Sequence, residues 1–589
     1  MMRFGWGAAL LLMLCALLAG CAQDAQVMGA AGASPTPEPE IRKVAVPDIN
    51  EIGLKDDPSL YSAYDPTDLV CFYITVRRGS AADGTDNTFD EVNGFLNLQG
   101  MQGVEKIKAN ALFQVGDERG PLPGEVGYGK TEINATINAR GRTSTTAPQK
   151  SYRISLLDKA GLWRGQRDIA INKHPSDSTR LRNMLFFELL RDVPCMVSLR
   201  TQFVHVYIKD ETDPSAPDGF VDYGLFTQVE LPNSRYLRNH GLSRNGNLYK
   251  ANFCEMYRYP EQLRLATDPG YDENAFSQIL EPKTPDDHSK LLAMLDAVND
   301  YSIPIEETVD RYFDLENLTS FLAFNILMGN VDTNSQNYLL YSPVSSDTWY
   351  YICWDGDGSL VYYESELLNY SWGGAEWERG ISNYWGVVLF NRMLKIQAYR
   401  DAVTAKVEAL HKIITTERIA SLISRYRKIT EPYIARMPDA INLAATARTR
   451  QLIYQNMPYD TERAYQFYWE SLKKPMPFYL NEVNADARGL QFSWTPAYDF
   501  SANLIQYAVQ VASDWTFEPE TILWESKRQF TLSAKWAIPP AGTYYWRVVA
   551  INESGYRQIA FDQVETDSGF HNGMRAFTVR EDGTVINEL

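Results

Sequence analysis

The stretch 321–360 constrains the fold most, because it places a helix, a polar loop, a hairpin and an acidic turn in succession. Apolar residues recur at helical spacing between a candidate cap at Asp314 and a stop at Gly329. A polar loop follows, and then strand-like runs at 338–341 and 349–353. A hairpin of these two runs returns the chain, so the acidic turn after it is predicted to lie beside the polar loop.

Four side chains with oxygen donors stand in this loop and turn. Asp332 precedes Asn337 by the interval that a kinase catalytic loop uses between its base and a magnesium-binding amide. Asp355 and Asp357 follow the hairpin in a Trp-Asp-Gly-Asp-Gly run. Mg²⁺ prefers oxygen ligands together with phosphate oxygens and water. The pattern therefore predicts a phosphoryl-transfer site in which Asn337, Asp355 and Asp357 converge on a metal.

Two other interpretations apply to the same residues. Asp and Asn in loops form Asx turns, and Asp-Gly-Asp-Gly is a common tight turn. A calcium loop would use Asp355, Asp357 and Glu366 at its first, third and twelfth positions. Its sixth position needs glycine for a sharp turn, and Leu360 stands there. The order of helix, Asp-x4-Asn, hairpin and acidic turn favours a catalytic site over both.

The amino terminus has the features of a lipoprotein signal. One positive charge, at Arg3, precedes an apolar run that ends in Leu-Ala-Gly-Cys. Residues 1–20 are predicted to be a cleaved signal peptide, and Cys21 the lipidated first residue of the mature chain. Residues 21–60, rich in Ala, Pro and Glu, are predicted to be a flexible tether. The protein is therefore expected outside the cytoplasm, anchored to the bacterial cell membrane by its lipid.

Composition and residue spacing argue against several partners and cofactors. The net charge of −18 disfavours nucleic acid as a partner. The six histidines are scattered singly, so a histidine-based metal site is not expected. Cys71, Cys195, Cys254 and Cys353 lack the spacing of a zinc site, and disulfides among them stay an open alternative outside the cytoplasm.

A phosphate-loop pattern, G-x4-G-K-[ST], occurs at 124–131 and includes Lys130. A working phosphate loop follows a buried strand and opens a helix, because the helix amino terminus holds the phosphates. Here the residues that follow alternate between apolar and polar from Thr131 to Ala139, which is typical of a half-buried strand. A P-loop NTPase is therefore kept only as a third alternative.

Lys150 opens a second alternating run beside an Arg140-Gly141 turn. A lysine in that position can reach a triphosphate as the strand lysine of kinases does, although edge lysines also protect sheets from aggregation. Asp177 is predicted to cap a helix that carries Glu188. Glu188 is then a candidate partner of Lys150, as the helix glutamate of kinases is, or an ordinary surface residue.

These residues resemble the spore-coat protein H (CotH-type) kinases, secreted proteins with an atypical protein-kinase-like fold. The motifs that carry the resemblance stand in the family's order: Arg140-Gly141 with Lys150-Ser-Tyr, Leu181-Arg182-Asn183, Tyr223-Gly224-Leu225-Phe226 leading to Glu230, Leu248-Tyr249-Lys250, Gly329-Asn-Val-Asp332 to Asn337, and Trp354-Asp355-Gly-Asp357. A protein-kinase glycine-rich loop is not among them.

The resemblance implies an α+β, bilobal kinase-like domain at 61–475, with an N-lobe at 61–230 and a C-lobe at 231–475. It implies ATP and Mg²⁺ as cofactors, with Mn²⁺ as an alternative metal. The expected functional residues are Asp332 as acceptor of the substrate proton, Lys150, Arg140, Glu230 and Glu188 around the nucleotide, and Asn337, Asp355 and Asp357 at the metal. Hydroxyl side chains of secreted or coat proteins are the expected substrate, and a catalytically silent scaffold or adhesin is the rival function.

Two further segments have recognisable patterns. Residues 362–385 are rich in Tyr, Trp and Gly and fall where a kinase places its substrate-gating segment. A glycan-binding surface and simple packing are alternatives for these aromatic residues. From 476 to 589 short alternating strands are predicted, and 542–552 resembles a late strand of a fibronectin type III domain. An all-β sandwich of the immunoglobulin or fibronectin III kind is therefore expected as a spacer or adhesion module.

Overall fold

The computed structural model describes residues 53–62, 64–65, 67–97, 106–284, 286–369 and 374–588. The predicted signal peptide, Cys21 and most of the predicted tether lie outside these ranges. Helices and several sheets are both present, as the prediction of an α+β chain requires. None of the helices in the described ranges combines the length and apolar character needed to cross a bilayer.

The α-helices of the described residues are, in chain order, Ser59–Ser62, Phe89–Gly94, Arg182–Leu190, Ser234–Asn239, Glu273–Ile279, Ser289–Asn299, Ile305–Tyr312, Leu315–Met328, Tyr362–Leu368, Val388–Leu394, Gln397–His411, Thr416–Ile434, Ala447–Asn456 and Asp460–Ser471. The strands of the amino-terminal part are β1 (Val70–Arg77), β2 (Lys108–Asp117), β3 (Gly120–Pro121), β4 (Ala135–Arg140), β5 (Ser151–Leu156), β6 (Asp168–Asn172), β7 (Thr201–Asp210) and β8 (Val221–Glu230). The central strands are β9 (Asn247–Ala251), β10 (Leu280–Pro282), β11 (Tyr338–Ser342) and β12 (Tyr350–Cys353). The strands of the carboxy-terminal part are β13 (Asn484–Asp486), β14 (Gly489–Ser493), β15 (Ile505–Ala512), β16 (Ile522–Glu525), β17 (Ser533–Trp536), β18 (Gly542–Asn552), β19 (Arg557–Ile559), β20 (Gln563–Thr566), β21 (Gly569–Asn572), β22 (Met574–Val579) and β23 (Val585–Asn587).

The amino-terminal sheet closes on itself. Its strand order is β1-β7-β8-β6-β5-β4-β2-β3, and β1 also pairs with β2. Apolar side chains fill the interior, where the Phe72 ring lies 4.9 Å from that of Phe113 and 5.1 Å from that of Trp163. Closure leaves the ends of β4 and β6 facing the helical part of the chain, and these ends carry Arg140 and the residues after Asn172.

The phosphate-loop pattern lies between β3 and β4. Turns span most of 122–129, and the next regular element is the strand β4 rather than a helix. Lys130 is exposed. The segment therefore lacks the helix amino terminus that a phosphate loop needs, and the P-loop NTPase alternative is wrong.

A buried ion pair joins the sheet to the helical part. The Lys173 ammonium lies 2.6 Å from the Asp439 carboxylate, and both side chains are fully buried. Lys173 also donates to the carbonyls of Tyr223 and Leu225. Gly224 has a φ of 82°, and a Cβ there would lie 2.0 Å from the Asp439 carboxylate, so only glycine fits beside this pair.

The central sheet has the order β10-β9-β11-β12 and packs on the helix Leu315–Met328, which is buried from Asn317 to its end. This helix confirms the predicted limits: Asp314 caps it through the Asn317 amide, and Gly329 ends it with a φ of 59°. The hairpin is also confirmed, with Tyr338 paired to Cys353. The four cysteines of the described residues are free thiols, so the alternative of disulfides among them is not realised.

The carboxy-terminal part is all-β. One sheet has the order β13-β14-β17, and a second runs β16-β15-β18-β22-β23. The predicted alternation on β18 is confirmed, because Tyr544, Trp546, Val548 and Ala550 are buried and face a core that both sheets share. We refer to residues 476–588 as the β module.

Candidate active site

The acidic turn after β12 lies beside His174, and together they bring three side chains of types that can bind a metal ion close to one another. One ligand atom from each of His174, Asp355 and Asp357 lies within 4.8 Å of the others. The His174 Nδ1 atom is 3.0 Å from the Asp357 carboxylate. The sequence analysis expected no histidine at a metal site, and His174 corrects that expectation. The predicted part of Asn337 in holding a metal stays a prediction. Nothing near Asp357 in the sequence points to His174, because 183 positions separate them.

Local backbone geometry fixes the turn. Asp355 and Leu360 both have positive φ values, 56° and 53°, which are uncommon for residues other than glycine. Asn183 bridges the turn to His174: its Oδ1 accepts from the Gly356 amide at 3.2 Å and its Nδ2 lies 3.1 Å from His174 Nε2. A backbone held in such conformations by outside contacts is typical of functional sites.

The buried guanidinium of Arg182 stabilises the turn through two carboxylates and a backbone carbonyl. Its guanidinium lies 2.7 Å from the Asp177 carboxylate and 2.5 Å from the Glu364 carboxylate, and it donates to the Leu360 carbonyl. All three charged side chains are buried. Breaking such a pair leaves an uncompensated buried charge, so the Leu-Arg-Asn motif at 181–183 holds the acidic turn in place.

Asp332 lies on the other side of the hairpin entrance. The Asn337 amide donates to its carboxylate at 2.9 Å, and the Gln336 amide donates to the second oxygen. Burial raises the pKa of Asp332 to about 6, Gln336 opposes this, and the charge of Asp357 adds to it. The structure therefore brings Asp332 within electrostatic range of the acidic turn, with its oxygens oriented by two amides.

Asn337 itself contributes differently from the prediction. Its Nδ2 is directed at Asp332, its backbone φ is 58°, and its carbonyl accepts from the Trp354 amide at 3.0 Å. These contacts tie the polar loop to the residue just before Asp355. In the geometry described, Asn337 orients Asp332, and its role as a metal ligand stays a prediction.

The pKa values of the two aspartates of the turn are shifted in opposite directions. Burial and the negative charge of Asp357 raise the pKa of Asp355 to about 7. Burial opposes the charge of Asp357 as well, but the hydrogen bond and charge of His174 outweigh it and lower the pKa of Asp357. Two carboxyls this close favour sharing a proton unless a cation is present. The donor set of two carboxylates therefore fits Mg²⁺ completed by phosphate oxygens and water.

Two cations interact electrostatically with Asp355: Arg140, at the end of β4, and Lys250, on β9. With Lys106 and Arg142, which share the carboxylate of Glu281 with Lys250, they form what we call the cationic group. Burial lowers the pKa of Lys250 to about 8, which the charge of Glu281 and then that of Asp355 partly oppose, and burial lowers the pKa of Arg140 to about 10, which Asp355 partly opposes. The Lys250 ammonium also lies 6.0 Å from the centre of the Trp354 ring. An anionic ligand beside Asp355 would relieve the mutual repulsion of these cations.

Two of the residues predicted around the nucleotide, Lys150 and Glu188, make other contacts. Lys150 donates to the Thr145 carbonyl at 2.6 Å. Glu188 pairs with Arg191 at 2.8 Å and with Arg425 at 3.7 Å, so among the described residues its ion pairs do not include Lys150. The expected Lys150–Glu188 pair is therefore wrong in this structure, because two arginines lie closer to the glutamate.

Glu230 ends β8 in a closed ion-pair cluster. Arg200 lies 2.5 Å from one of its oxygens and His240 3.0 Å from the other. Burial disfavours its charge, but the hydrogen bonds from Arg200 and His240 hold its pKa at about 2. Both carboxylate oxygens of Glu230 are therefore bound by side chains of the protein, which favours a structural role. Its predicted contact with a nucleotide gains no support from this geometry.

The calcium-loop interpretation is also resolved by geometry. Glu366, its twelfth residue, lies on the helix Tyr362–Leu368, where it is exposed and pairs with Arg463 at 2.9 Å. The side chain that joins Asp355 and Asp357 is that of His174 instead. The turn therefore is no calcium loop of the EF-hand type.

The comparison with known families agrees with the site. A half-buried acidic turn, an aspartate oriented by amides and nearby cations are the kinds of group from which phosphoryl-transfer sites are built. The family model of the CotH kinase proteins matches residues 137–466, more than half of the chain, and the protein belongs to this family. No curated protein matches the sequence.

Proposed function

We propose that the protein is an ATP- and Mg²⁺-dependent protein kinase of the CotH family, with an atypical bilobal kinase-like fold. It transfers the γ-phosphoryl group of ATP to hydroxyl side chains of secreted or coat proteins. The observation that carries the proposal is the arrangement around Asp355: two half-buried carboxylates beside His174, the cations Arg140 and Lys250 near Asp355, and Asp332 within electrostatic range of Asp357. Membership of the family supports the same reaction class.

Each residue has a role that follows from its surroundings. Asp332, with a pKa of about 6, is ionised at neutral pH and accepts the proton of the acceptor hydroxyl. Asn337 and Gln336 orient its carboxylate. Arg140 and Lys250 offset the negative charge of the phosphates. Asp355 and Asp357 would hold Mg²⁺, or Mn²⁺, which supplies further charge neutralisation at the phosphates.

A titration of Mg–ATP tests the proposal. Asp355→Asn should weaken Mg²⁺-dependent ATP binding by about tenfold or more, because a carboxylate ligand is lost. Glu366→Gln is a matched control, since it also removes one carboxylate a few residues away but from an exposed surface pair. The affinity for Mg²⁺ itself should fall as the pH is lowered, because burial and Asp357 raise the pKa of Asp355 and protons then compete with the metal.

Two results would contradict the proposal. Wild-type protein that binds no nucleotide with any metal would remove the kinase assignment and leave the silent scaffold or adhesin in its place. Equal losses in Asp355→Asn and Glu366→Gln would show that the acidic turn is not the metal site.

The proposed location rests on the amino-terminal sequence. The chain would be a lipoprotein of the bacterial cell surface, with residues 476–589 as a fibronectin III-like sandwich beyond the kinase domain. Cys21→Ser should abolish lipid labelling and release the protein from the membrane or impair its processing. Unchanged membrane retention with normal lipid labelling would contradict this location.

A further inference from the structure

The aromatic segment, residues 374–386, lies between the β module and the loop that carries Asp332. Its large rings are buried: Trp377 is 9% exposed, Tyr384 1% and Trp385 7%. Packing is therefore the role of these rings, and the alternative of a glycan-binding aromatic surface is wrong for them. What they pack against determines what the segment does.

The β module supplies one side of this packing. The Phe561 ring lies 5.2 Å from Trp377, and the rings of Tyr498 and Phe500 lie 5.3 and 5.7 Å from Trp385. All three module residues pack against the large core of the helical part. Aromatic pairs at such separations stabilise an interface beyond the area they bury. The module therefore holds the segment at two points, one near each end.

Hydrogen bonds hold the start of the module and the residues just before it. Within the module, the Phe561 backbone amide donates to the Phe478 carbonyl at 2.8 Å, and the Met476 backbone amide donates to the Tyr498 carbonyl at 2.6 Å. Across the boundary, the Asn552 side-chain amide donates to the Lys473 carbonyl at 2.9 Å. The connection that follows the helix Asp460–Ser471 is therefore bound to the module.

The other side of the segment contacts the polar loop. The Asn383 amide donates to the carbonyl of Val331 at 2.8 Å, and the Tyr384 hydroxyl lies 2.8 Å from the Thr333 hydroxyl. These two contacts flank Asp332. Asp332 also acts electrostatically on Glu378, so the segment runs past the proposed base.

We propose that the β module helps to position the acceptor site. Tyr498, Phe500 and Phe561 hold the aromatic segment, and the segment in turn positions the Asp332 loop for the acceptor hydroxyl. These three are positioning residues that act through Asn383 and Tyr384, and the step they serve rests on the proposed kinase function. Displacement of a catalytic group by about 1 Å costs up to about a hundredfold in rate, so loosening this contact should be measurable.

The first measurement is amide hydrogen exchange on the full chain, which does not depend on activity. The double variant Tyr498→Ala with Phe500→Ala should speed exchange at 374–386 and at 329–337 by about tenfold, because local opening becomes easier. Exchange on β2 should stay unchanged. Phe530→Ala is the matched control, since this aromatic residue belongs to the same module but is 60% exposed. Tyr498→Phe with Phe500 intact keeps both rings and should behave as wild type.

The second measurement separates positioning from binding. With dephosphorylated casein as the acceptor, the double variant should lower the rate of transfer by about tenfold and leave the Kd for Mg–ATP unchanged. Phe561→Ala, a single change at the other contact, should reproduce the effect in part and serves if the double variant does not fold.

The outcomes are distinguishable. Unchanged exchange at 329–337 in the folded variants would overturn the proposal, as would an equal effect of Phe530→Ala. A Kd for Mg–ATP that weakens in parallel with the rate would overturn it too. Wild-type protein that binds no Mg–ATP would remove the proposed function, and the exchange measurement would still decide whether the module and the Asp332 loop are coupled.

Discussion

Two buried charged clusters in this protein differ in how their charges are balanced. In the closed cluster, Arg200 and His240 both pair with Glu230, and His240 also lies 2.6 Å from Asp56. Its partners favour charge, so the pKa of Glu230 is about 2 and that of His240 about 9. Such a cluster is complete without a ligand.

The acidic turn and the cationic group have the opposite balance. Burial and Asp357 raise the pKa of Asp355 to about 7, and burial lowers that of Lys250 to about 8. Burial here outweighs the neighbouring charges that favour ionisation, Glu281 for Lys250 and His174 for Asp355, so a charged ligand would add to an incomplete balance. Perturbed groups of this kind cluster at functional sites, whereas complete ion pairs stabilise the fold.

The sharpest test of this contrast is Asp332→Asn. Transfer should fall about 10²–10⁴-fold, because the variant cannot accept the acceptor proton, while Mg–ATP binding is kept. Steady-state rates and a nucleotide titration measure the two effects. Asp347→Asn, at the exposed end of the hairpin, is the control. A loss of only about twofold would mean that Asp332 is not the base.

The closed cluster should affect stability rather than activity. His240 has its pKa raised from 6.5 to about 9, so its contribution is full below pH 6.5 and is lost as the pH rises through about 9. At about 1.4 kcal/mol per pKa unit this amounts to roughly 3 kcal/mol. The pKa of Glu230 is lowered from 4.5 to about 2, so its contribution is lost as the pH falls through about 2.

Urea unfolding at pH 6 and pH 9.5 measures the effect of His240. His240→Asn should remove most of the pH dependence between these values, whereas His411→Asn, on the surface helix Gln397–His411, should keep it. If His240→Asn kept the wild-type pH dependence, the ion pairs of His240 with Asp56 and Glu230 would not contribute to stability as expected.

The smallest expected effect is that of Lys250, which is compared with two lysines that the sequence analysis singled out. The sequence predicts that Lys150→Met abolishes transfer and that Lys130→Met leaves most of it. The geometry adds Lys250, whose pKa responds to Asp355, and Lys250→Met should weaken Mg–ATP binding by about tenfold. Titrations of the three variants compare them directly. Loss confined to Lys150→Met would contradict the assignment of Lys250, and loss confined to Lys130→Met would restore the phosphate-loop interpretation.

Local elements were predictable from the sequence because their causes are local. The Asp314 cap and the Gly329 stop lie next to the helix that they limit, and the alternation on β18 is visible within eleven residues. The alternation after Lys130 was enough to disfavour the phosphate loop, because it predicted a strand where a helix was needed, and β4 confirms the strand. The motif order across the chain was enough to indicate the family.

The tertiary structure decided which charged groups meet. His174 joins Asp357 across 183 positions, Lys250 faces Asp355 from β9, and Glu230 is taken up by Arg200 and His240. The strength of an electrostatic interaction depends on distance and burial in space, which residue spacing does not encode over such separations. The sequence by itself therefore determined the elements and the family, and only the folded chain decided which carboxylates are paired and which are left to bind a ligand.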